Sequence, residues 1–298
     1  MNTSVESKKY VIITPARNEE FFITDTIQAV ISQTLKPLMW VIVNDGSTDK
    51  TSEIVETYAK KYDFIRLLNL ERDGDRDFSR KAIAFSHGLA TVQKLDYEYI
   101  GNLDADISMA ADYYHNIIQY FNNDLKLGVV GGIVYTKIGE KLLTYDETLD
   151  SVAGAVQLFR RSCFEAIGGY VPLKLGGIDT VAEIKARMLG WKVRKLPDQK
   201  VFENRRMGSP MASPLGIKLR EGRQFYSLGY GLVFFTMRCI YRYKDNPFII
   251  GSIAALYGFL ESLFRRQPIL PQSDVVEYLR SEQRQRLKRL PAILLGLK

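Results

Sequence analysis

The chain has 298 residues, of which 46% are hydrophobic and 25% charged, and it carries a formal net charge of +7. This composition is that of an ordinary globular protein, and it excludes a disordered or fibrous chain. The cysteines, Cys163 and Cys239, lie far apart and lack metal-ligand spacing, which argues against a disulfide framework and indicates a reducing compartment.

The charge is unevenly distributed along the chain. Residues 205–298 hold 16 Lys/Arg and 6 Asp/Glu, a net charge of +10, whereas residues 1–204 hold 25 basic and 28 acidic residues, a net charge of −3. A basic C-terminal third indicates an anionic surface as its partner. The N-terminal segment MNTSVESKKY lacks the apolar core of a secretory signal, so we expect a cytoplasmic location.

The first half of the chain alternates apolar runs with amphipathic segments. The apolar, β-branched runs predict strands at residues 10–15, 39–45, 64–70, 97–104 and 128–135. The intervening segments predict helices at residues 19–34, 47–62, 78–93 and 109–122. Such alternation with short connections predicts an α/β fold with a mostly parallel sheet and helices on both faces.

The second half is less regular. Residues 155–170 read as a strand that runs into a short helix, and a helix at about 179–189 is followed by another strand. Two apolar, aromatic-rich helices are predicted at 226–243 and 247–264. A basic amphipathic helix at 272–290 completes the chain.

Polar side chains follow three of the predicted strands. Ligands of parallel α/β sheets bind at the carboxyl ends of the strands. We therefore expect Asn18, Glu19, Asp45, Asp104 and Asp106 to lie along one edge of the sheet.

Asp104 and Asp106 flank a single alanine directly after the fourth predicted strand. Mg²⁺ and Mn²⁺ prefer oxygen ligands, and Mg²⁺ is usually held by one or two carboxylates together with substrate phosphates. The pair favours a divalent metal site that carries a phosphorylated substrate. The alternative is that Asp104 caps the next helix and Asp106 is solvated.

The segments TPARNEE (14–20) and NDGSTD (44–49) also allow two interpretations. Their residues form turns and helix starts readily, so they could serve only as connections. Alternatively, the Asp45 carboxylate accepts hydrogen bonds from a ligand at the edge of the sheet.

In this order, with the Asp-x-Asp pair, these segments resemble the family 2 inverting glycosyltransferases of the GT-A fold. The resemblance covers roughly residues 8–206. It implies a catalytic domain over residues 1–206, with a donor half at about 8–134 and an acceptor half at about 135–206. Residues 207–298 would then form a separate helical region.

The resemblance implies a nucleotide-sugar donor and a divalent cation. It places the base and ribose near Pro15, Arg17, Glu19 and Asp45. It also implies that Mg²⁺ or Mn²⁺ bridges the diphosphate to Asp104 and Asp106. Within the pair, we expect Asp106 to bind the metal directly and Asp104 mainly to contact the ribose or a metal-bound water. Lys81 matches a basic residue near the donor, although the glycines that usually flank it are absent.

The resemblance also implies a catalytic base. Displacing a nucleoside diphosphate requires a general base on the opposite face of the sugar. The family uses an aspartate that opens a helix ahead of a glycine, and Asp179, eleven residues before Gly190, matches it. Ile178 replaces the usual acidic neighbour, and Glu183 is the second candidate. The alternative for Asp179 is a simple helix cap.

Two features of the family are missing from the sequence. Many members add a histidine ligand where this chain reads VFENRRMGS (201–209), so Glu203 or Asn204 would replace it, or the metal relies on Asp106 and phosphate oxygens. The Q-x-x-R-W box of processive enzymes is absent, which favours transfer of one sugar over polymer synthesis.

The apolar run at 247–264 is closed by Arg265 and Arg266 and is borderline for a spanning helix, which needs about 20 apolar residues. Tyr, Phe and Arg in this region favour helices that lie in the membrane interface. The alternative is ordinary packing on the enzyme body. Nucleic acid is disfavoured as a partner because no recognition motif accompanies the charge.

The sequence thus predicts an inverting glycosyltransferase that moves a sugar from a nucleotide diphosphate-sugar to a hydroxyl acceptor. We expect it to act in glycan or glycolipid synthesis for surface polysaccharide, at the inner face of the cell membrane. The alternatives are a polyprenyl-phosphate glycosyltransferase and a catalytically silent nucleotide-sugar-binding protein. Homo-oligomerisation is left open.

Overall fold

The computed structural model describes residues 9–71, 77–138, 141–144, 149–204, 213–244 and 247–294. The chain divides into two compact units. The first consists of Met1–Pro172 and Ile178–Met207, and the second of Leu173–Gly177 and Gly208–Lys298.

The first unit is an α/β layered structure. Its described strands are β1 (Tyr10–Ala16), β2 (Met39–Asp45), β3 (Ile65–Leu70), β4 (Tyr99–Asn102), β5 (Ile107–Met109), β6 (Leu127–Ile138), β7 (Lys141–Leu143), β8 (Leu158–Arg160) and β9 (Lys192–Glu203). Its described helices are α1 (Ile23–Ile31), α2 (Thr51–Ala59), α3 (Ser79–Val92), α4 (Tyr113–Asn123), α5 (Arg161–Ala166) and α6 (Ile178–Met188).

The strands form one mixed sheet in the order β3-β2-β1-β4-β8-β6-β9-β5, and β7 pairs with β6. The strands β3, β2, β1 and β4 are parallel, as predicted. The other half differs, because β8 lies antiparallel between β4 and β6, and β5 lies antiparallel to β9. Both β8 and β5 have only three residues, so their sequences carry no readable period.

The core explains why the central strands are apolar on both faces. Alternate residues of a strand point to opposite faces of the sheet. Ile12 and Ile42 pack in the cluster that includes Ile27 of α1, whereas Ile13 and Val43 lie against α3. Helices therefore cover both faces, and the parallel strands end at a common edge where the site lies.

The second unit is helical, with α7 (Pro214–Ser227), α8 (Leu232–Tyr241), α9 (Ile250–Phe264) and α10 (Ser273–Leu294). The apolar run predicted as one helix at 226–243 is broken at Gly229, whose φ of 86° is in the left-handed region. The rings of Phe235 and Phe259 stack at 4.7 Å in the core of this unit. Across the described residues, none of the helices combines the length and apolarity needed to cross a membrane.

Candidate active site

The loops that follow β1 and β2 are joined by hydrogen bonds. Backbone N–H groups of the first loop donate to side chains of the second at 3.0, 2.8 and 3.1 Å, in the pairs Asn18 to Ser47, Glu19 to Thr51 and Glu20 to Asp49. In return, the Thr48 N–H donates to Asn18 Oδ1 at 2.9 Å. Several polar residues of the two predicted motifs therefore hold the loops together at the edge of the sheet.

Asp45 ends β2 and is 6% exposed. Arg80, near the start of α3, contacts both of its oxygens, with Nε 3.3 Å from Oδ2 and Nη2 bonded to Oδ1. Sequence reasoning missed Arg80 and selected only Lys81 from the same segment. The sequence signal for Arg80 was its position directly before Lys81. In the structure, Arg80 contacts Asp45 and Lys81 contacts Asp104.

Lys81 forms an ion pair with Asp104, the first carboxylate of the Asp-x-Asp pair. Its Nζ is 2.5 Å from Asp104 Oδ1, and the two side chains are 33% and 32% exposed. Asn102 Nδ2 is 3.3 Å from the same oxygen and also donates to the Gly154 carbonyl. The Asp104 N–H donates to the Ala155 carbonyl at 2.9 Å, so the backbone of this aspartate is fixed by the 152–157 segment.

Three carboxylates act on the Lys81 ammonium. Burial alone would lower the pKa of Lys81, but Asp104, followed by Asp179 and Asp106, raises it above its usual value. Asp106 is 3% exposed, and its carbonyl accepts from the Asn204 N–H at 2.7 Å. The fold therefore brings Asp179, distant in sequence, into the electrostatic range of the Asp-x-Asp pair.

Asp179 lies within the first turn of α6, which begins at Ile178. An N-cap residue precedes the first helical residue, so this position is not that of a simple cap. Gly154 packs against Asp179, because a methyl group on Gly154 would lie 2.8 Å from Asp179 Oδ2. Gly154 thus contacts both Asp179 and Asn102.

Glu183, one helical turn further along α6, is 3% exposed. Its Oε1 accepts from the Val152 N–H at 2.6 Å and from Gln157 Nε2 at 3.1 Å. Gln157 Oε1 in turn accepts from the Tyr170 hydroxyl at 2.7 Å. Burial raises the pKa of Glu183 to about 8. The second candidate base is therefore enclosed in a network that holds the 152–157 segment.

The remaining predicted donor residues lie in and after β1. Pro15 is partly buried and pairs in register with Val43. Glu19 is partly buried and is held through its N–H by Thr51. Arg17 is partly buried, and its Nη1 is shielded from solvent without a hydrogen-bond partner among the described residues. A shielded guanidinium N–H of this kind is suited to an anionic ligand.

Glu203 and Asn204, the proposed replacements for the missing histidine, lie where β9 pairs with β5. Glu203 Oε2 accepts from the Thr136 hydroxyl at 2.7 Å, and Asn204 Oδ1 accepts from the Ser108 hydroxyl at 3.1 Å. Both side chains therefore have protein partners. Residues 205–209 of the same predicted segment lie outside the described residues.

The donor set fits a hard divalent cation. In the part of the chain that the structure describes, no three His, Cys, Asp or Glu side chains gather around one point. Asp104 and Asp106 offer only oxygen donors, and a third carboxylate, Asp179, adds to the negative potential. Two carboxylates leave the other positions of a Mg²⁺ or Mn²⁺ ion to phosphate oxygens and water.

Known proteins resemble this chain in sequence. Poly-beta-1,6-N-acetyl-D-glucosamine synthase of Staphylococcus epidermidis is 29% identical over 170 residues, which are 51% of this chain and 39% of that protein. The synthase of the same name from Staphylococcus aureus (strain COL) is 27% identical over 199 residues, 60% of this chain and 46% of that protein. The chain spans less than half the length of these curated relatives.

Solved structures share the fold of this chain. TarS 1–349 of S. aureus, in complex with UDP-GlcNAc, superposes with a TM-score of 0.58 at 16% identity, over 94% of this chain and 92% of that chain. The mannosyltransferase PcManGT from Pyrobaculum calidifontis, in complex with GDP-Man and Mn²⁺, gives a TM-score of 0.56 at 16% identity, over 97% and 83%. The predicted α/β fold of the GT-A type is therefore confirmed.

The profile of the family named Glycosyl transferase family 2 matches residues 11–171, more than half of the chain. The matched segment includes β1, β2 and β4, which carry Asp45 and the Asp-x-Asp pair at one edge of the sheet. The chain therefore belongs to glycosyltransferase family 2.

Proposed function

We propose that this glycosyltransferase moves a single sugar from a nucleotide diphosphate-sugar to a hydroxyl acceptor, with inversion at the anomeric carbon. The observation that carries the proposal is the contact of Asp104 with the Lys81 ammonium after β4, with Asp179 and Asp106 near enough to help raise the pKa of Lys81. Carboxylates, a cation and a shielded arginine at the ends of parallel strands are suited to an anionic, polyhydroxylated ligand. The acceptor would belong to glycan or glycolipid synthesis.

The donor would bind along the edge formed by β1, β2 and β4. The base and ribose would contact Pro15, Arg17, Glu19 and Asp45, and the Arg17 Nη1 that lacks a partner among the described residues supports this placement. Lys81 would face the diphosphate, since its ammonium already lies on Asp104. TarS 1–349 was solved in complex with UDP-GlcNAc and PcManGT in complex with GDP-Man, which supports a donor of this class.

Asp106 and Asp104 would hold Mg²⁺ or Mn²⁺. When bound, the ion supplies positive charge to the diphosphate leaving group. We assign direct metal binding to Asp106, which is buried directly after β4 beside the Lys81–Asp104 pair. Asp104 would mainly contact the ribose or a metal-bound water. PcManGT was solved with Mn²⁺, which supports a divalent cation at this site.

Asp179 would act as the general base. Its carboxylate takes the proton from the acceptor hydroxyl while the hydroxyl oxygen forms a bond to the anomeric carbon. The bond from that carbon to the diphosphate breaks on the opposite face, which inverts the configuration. Asp179 is partly exposed, whereas Glu183 is enclosed by Val152 and Gln157, so the accessible carboxylate is that of Asp179.

We place the reaction at the inner face of the cell membrane, with a lipid-linked acceptor or a growing surface glycan. The free, buried thiols of Cys163 and Cys239 support a reducing compartment. The basic excess of residues 205–298, a net charge of +10, supports contact with an anionic surface.

The test is the substitution Asp179→Asn, assayed as Mn²⁺-dependent hydrolysis of a panel of UDP- and GDP-sugars. We expect turnover to fall about a thousandfold, within the range that a general base contributes, while donor binding measured by calorimetry persists. Asp63→Asn at an exposed loop position makes the same charge change and should leave turnover unchanged.

Turnover by Asp179→Asn equal to that of the wild type would overturn the assignment of the base. Donor binding without any turnover of the wild-type protein would instead support the catalytically silent binding protein. Sugar transfer to isolated polyprenyl phosphate would identify the lipid phosphate as acceptor, in place of a glycan hydroxyl.

A further inference from the structure

The second unit exposes a set of large apolar side chains at the junction of α8 and α9. Six of them are between 58% and 77% exposed to solvent. These six residues, here called the apolar junction, are Ile240, Tyr241, Phe248, Ile250, Ile253 and Tyr257. An exposed apolar set of this density marks an interaction site on a soluble domain.

The apolar junction is continuous. On α9, Ile250, Ile253 and Tyr257 follow helical spacing and share one face. The end of α8 is tied to the start of α9, because the Ile249 N–H donates to the Tyr243 carbonyl at 2.8 Å. The rings of Tyr243 and Phe248 also lie 5.9 Å apart, so Phe248 joins the two helices into one surface.

The opposite faces of α8 and α9 pack in the core of the second unit. Phe235 and Cys239 of α8 pack with Ala255 and Phe259 of α9 in the core of the second unit. The exposed residues are therefore additional to those that stabilise the fold. A helix that is apolar on two faces needs a second apolar environment for the face that its own unit does not cover.

Exposed basic side chains lie at both ends of α9. Lys244 is exposed between α8 and α9, and Arg265 and Arg266 are exposed directly after α9. Glu261, the acidic residue in the sequence of α9, is paired with Arg223 at 2.7 Å and with Arg265 at 3.2 Å. Among the described residues, the exposed cations Lys244 and Arg266 thus border α9, whereas the charge of Glu261 is compensated by arginines.

This chemistry matches an anionic bilayer surface better than a second copy of the chain. In a two-fold interface between copies, the same residues meet, and the cations that border the junction would face one another. In a membrane interface, Tyr and Phe lie at headgroup depth, and Lys and Arg meet anionic lipid phosphates. With 15 residues, α9 is about 22 Å long, shorter than the hydrocarbon core of about 30 Å.

We propose that the apolar junction docks onto a bilayer that contains anionic phospholipid, with α8 and α9 lying in the interface rather than across it. The inference deepens the membrane location given under the proposed function and rests on that location. It is independent of the proposed transfer chemistry.

The experiment is co-sedimentation of the full chain with vesicles of phosphatidylcholine, with and without phosphatidylglycerol. The double variant Phe248→Asp/Ile253→Asp should lose at least about tenfold in partitioning onto the anionic vesicles, because each change removes a large apolar side chain from the interface. Leu125→Asp, at a position of the first unit that is 76% exposed, makes the same kind of change and should bind as the wild type does.

Charge is tested separately with Lys244→Gln/Arg266→Gln. We expect about a fivefold loss per residue on anionic vesicles and little change on neutral ones, since each cation near an anionic surface contributes about 1 kcal/mol. Equal loss in Leu125→Asp, or no binding of the wild type to anionic vesicles, would overturn the proposal. A dimer that the Phe248→Asp/Ile253→Asp variant dissociates, without lipid binding, would also overturn it.

Sugar-donor hydrolysis in the absence of lipid separates this inference from the proposed reaction. The Phe248→Asp/Ile253→Asp variant should retain hydrolysis, and Asp179→Asn should retain vesicle binding. A wild-type protein that binds anionic vesicles but hydrolyses no sugar donor would therefore count against the transfer chemistry alone, and one that hydrolyses the donor but binds no vesicles would count against the docking surface alone.

Discussion

Glu183 shows how burial assigns different tasks to two carboxyl groups of the same helix. Its neighbour Asp179 is partly exposed, whereas Glu183 accepts hydrogen bonds from Val152 and Gln157 in the interior. Because these donors belong to the segment that contacts Asp179 through Gly154, we regard Glu183 as a positioning residue.

The first prediction concerns the stability of the Glu183→Gln variant. Burial raises the pKa of Glu183 from 4.5 to about 8, so the folded protein holds a proton in this range that the unfolded chain has lost. This contribution to the free energy of unfolding is complete below about pH 4.5 and is lost as the pH rises to about 8. Glutamine keeps the Oε1 acceptor and does not titrate. The free energy of unfolding of the variant should therefore fall less than that of the wild type between about pH 4.5 and about pH 8.

Urea unfolding of both proteins at several pH values between about 5 and 8 measures this difference. The comparison with the wild type cancels the other titrating groups. Parallel pH profiles for the two proteins would show that Glu183 does not hold the proton.

A second prediction at this scale concerns the metal. In the presence of UDP, saturating Mn²⁺ should raise the Tm of the wild type by about 5 °C, since a ligand near a hundred times its Kd adds about 2.7 kcal/mol. Asp106→Asn should abolish this shift. Asp104→Asn should only reduce it, because Asp104 is already engaged by Lys81 and Asn102. Equal shifts in all three proteins would exclude the pair as the metal site.

At the scale of elements, the 152–157 segment lies between the Asp-x-Asp pair and the two acidic residues of α6, Asp179 and Glu183. It contacts Asp104 through Ala155, Asn102 through Gly154, and Glu183 through Val152. The distance between Asp179 and the Asp-x-Asp pair therefore depends on how closely this segment packs on α6.

Gly154→Ala tests this packing. The added methyl group would lie 2.8 Å from Asp179 Oδ2 and 2.9 Å from its Cβ, closer than such atoms approach, so Asp179 must move. We expect kcat to fall about a hundredfold with little change in donor KM, because a displaced base misaligns the reaction without altering the donor contacts. Steady-state kinetics with a thermal melt as folding control measure this, and an unchanged kcat would contradict it.

The sequence predicted most elements of the first unit and missed two three-residue strands. The strand run at 39–45 coincides with β2, because a central strand buried on both faces needs a continuous apolar run. The strand and short helix predicted within residues 155–170 are β8 and α5, whereas β5 and β7 were missed, since three residues show no period. At the site, motif spacing located Asp45 but not Arg80, because the direction of a side chain at a helix start is not encoded in spacing.

At the scale of the whole molecule, the chain carries two different chemical surfaces in two units. Residues 1–204 have a net charge of −3 and contain the acidic site, whereas residues 205–298 have a net charge of +10 and include the apolar junction. If both proposals hold, the sugar nucleotide and the anionic bilayer bind different residues, in different units, and do not compete for one surface.

Because β8 lies between β4 and β6, the sheet cannot be completed in chain order during synthesis on the ribosome. Strands β1 to β4 can pair once residue 102 has emerged, but the free edge of β4 stays open until Leu158–Arg160 arrive. The backbone of Asp106 is fixed later still, by the Asn204 N–H. A nascent chain would thus carry an exposed strand edge while residues 103–157 are added, and a truncation before residue 204 would leave the acidic pair without that support.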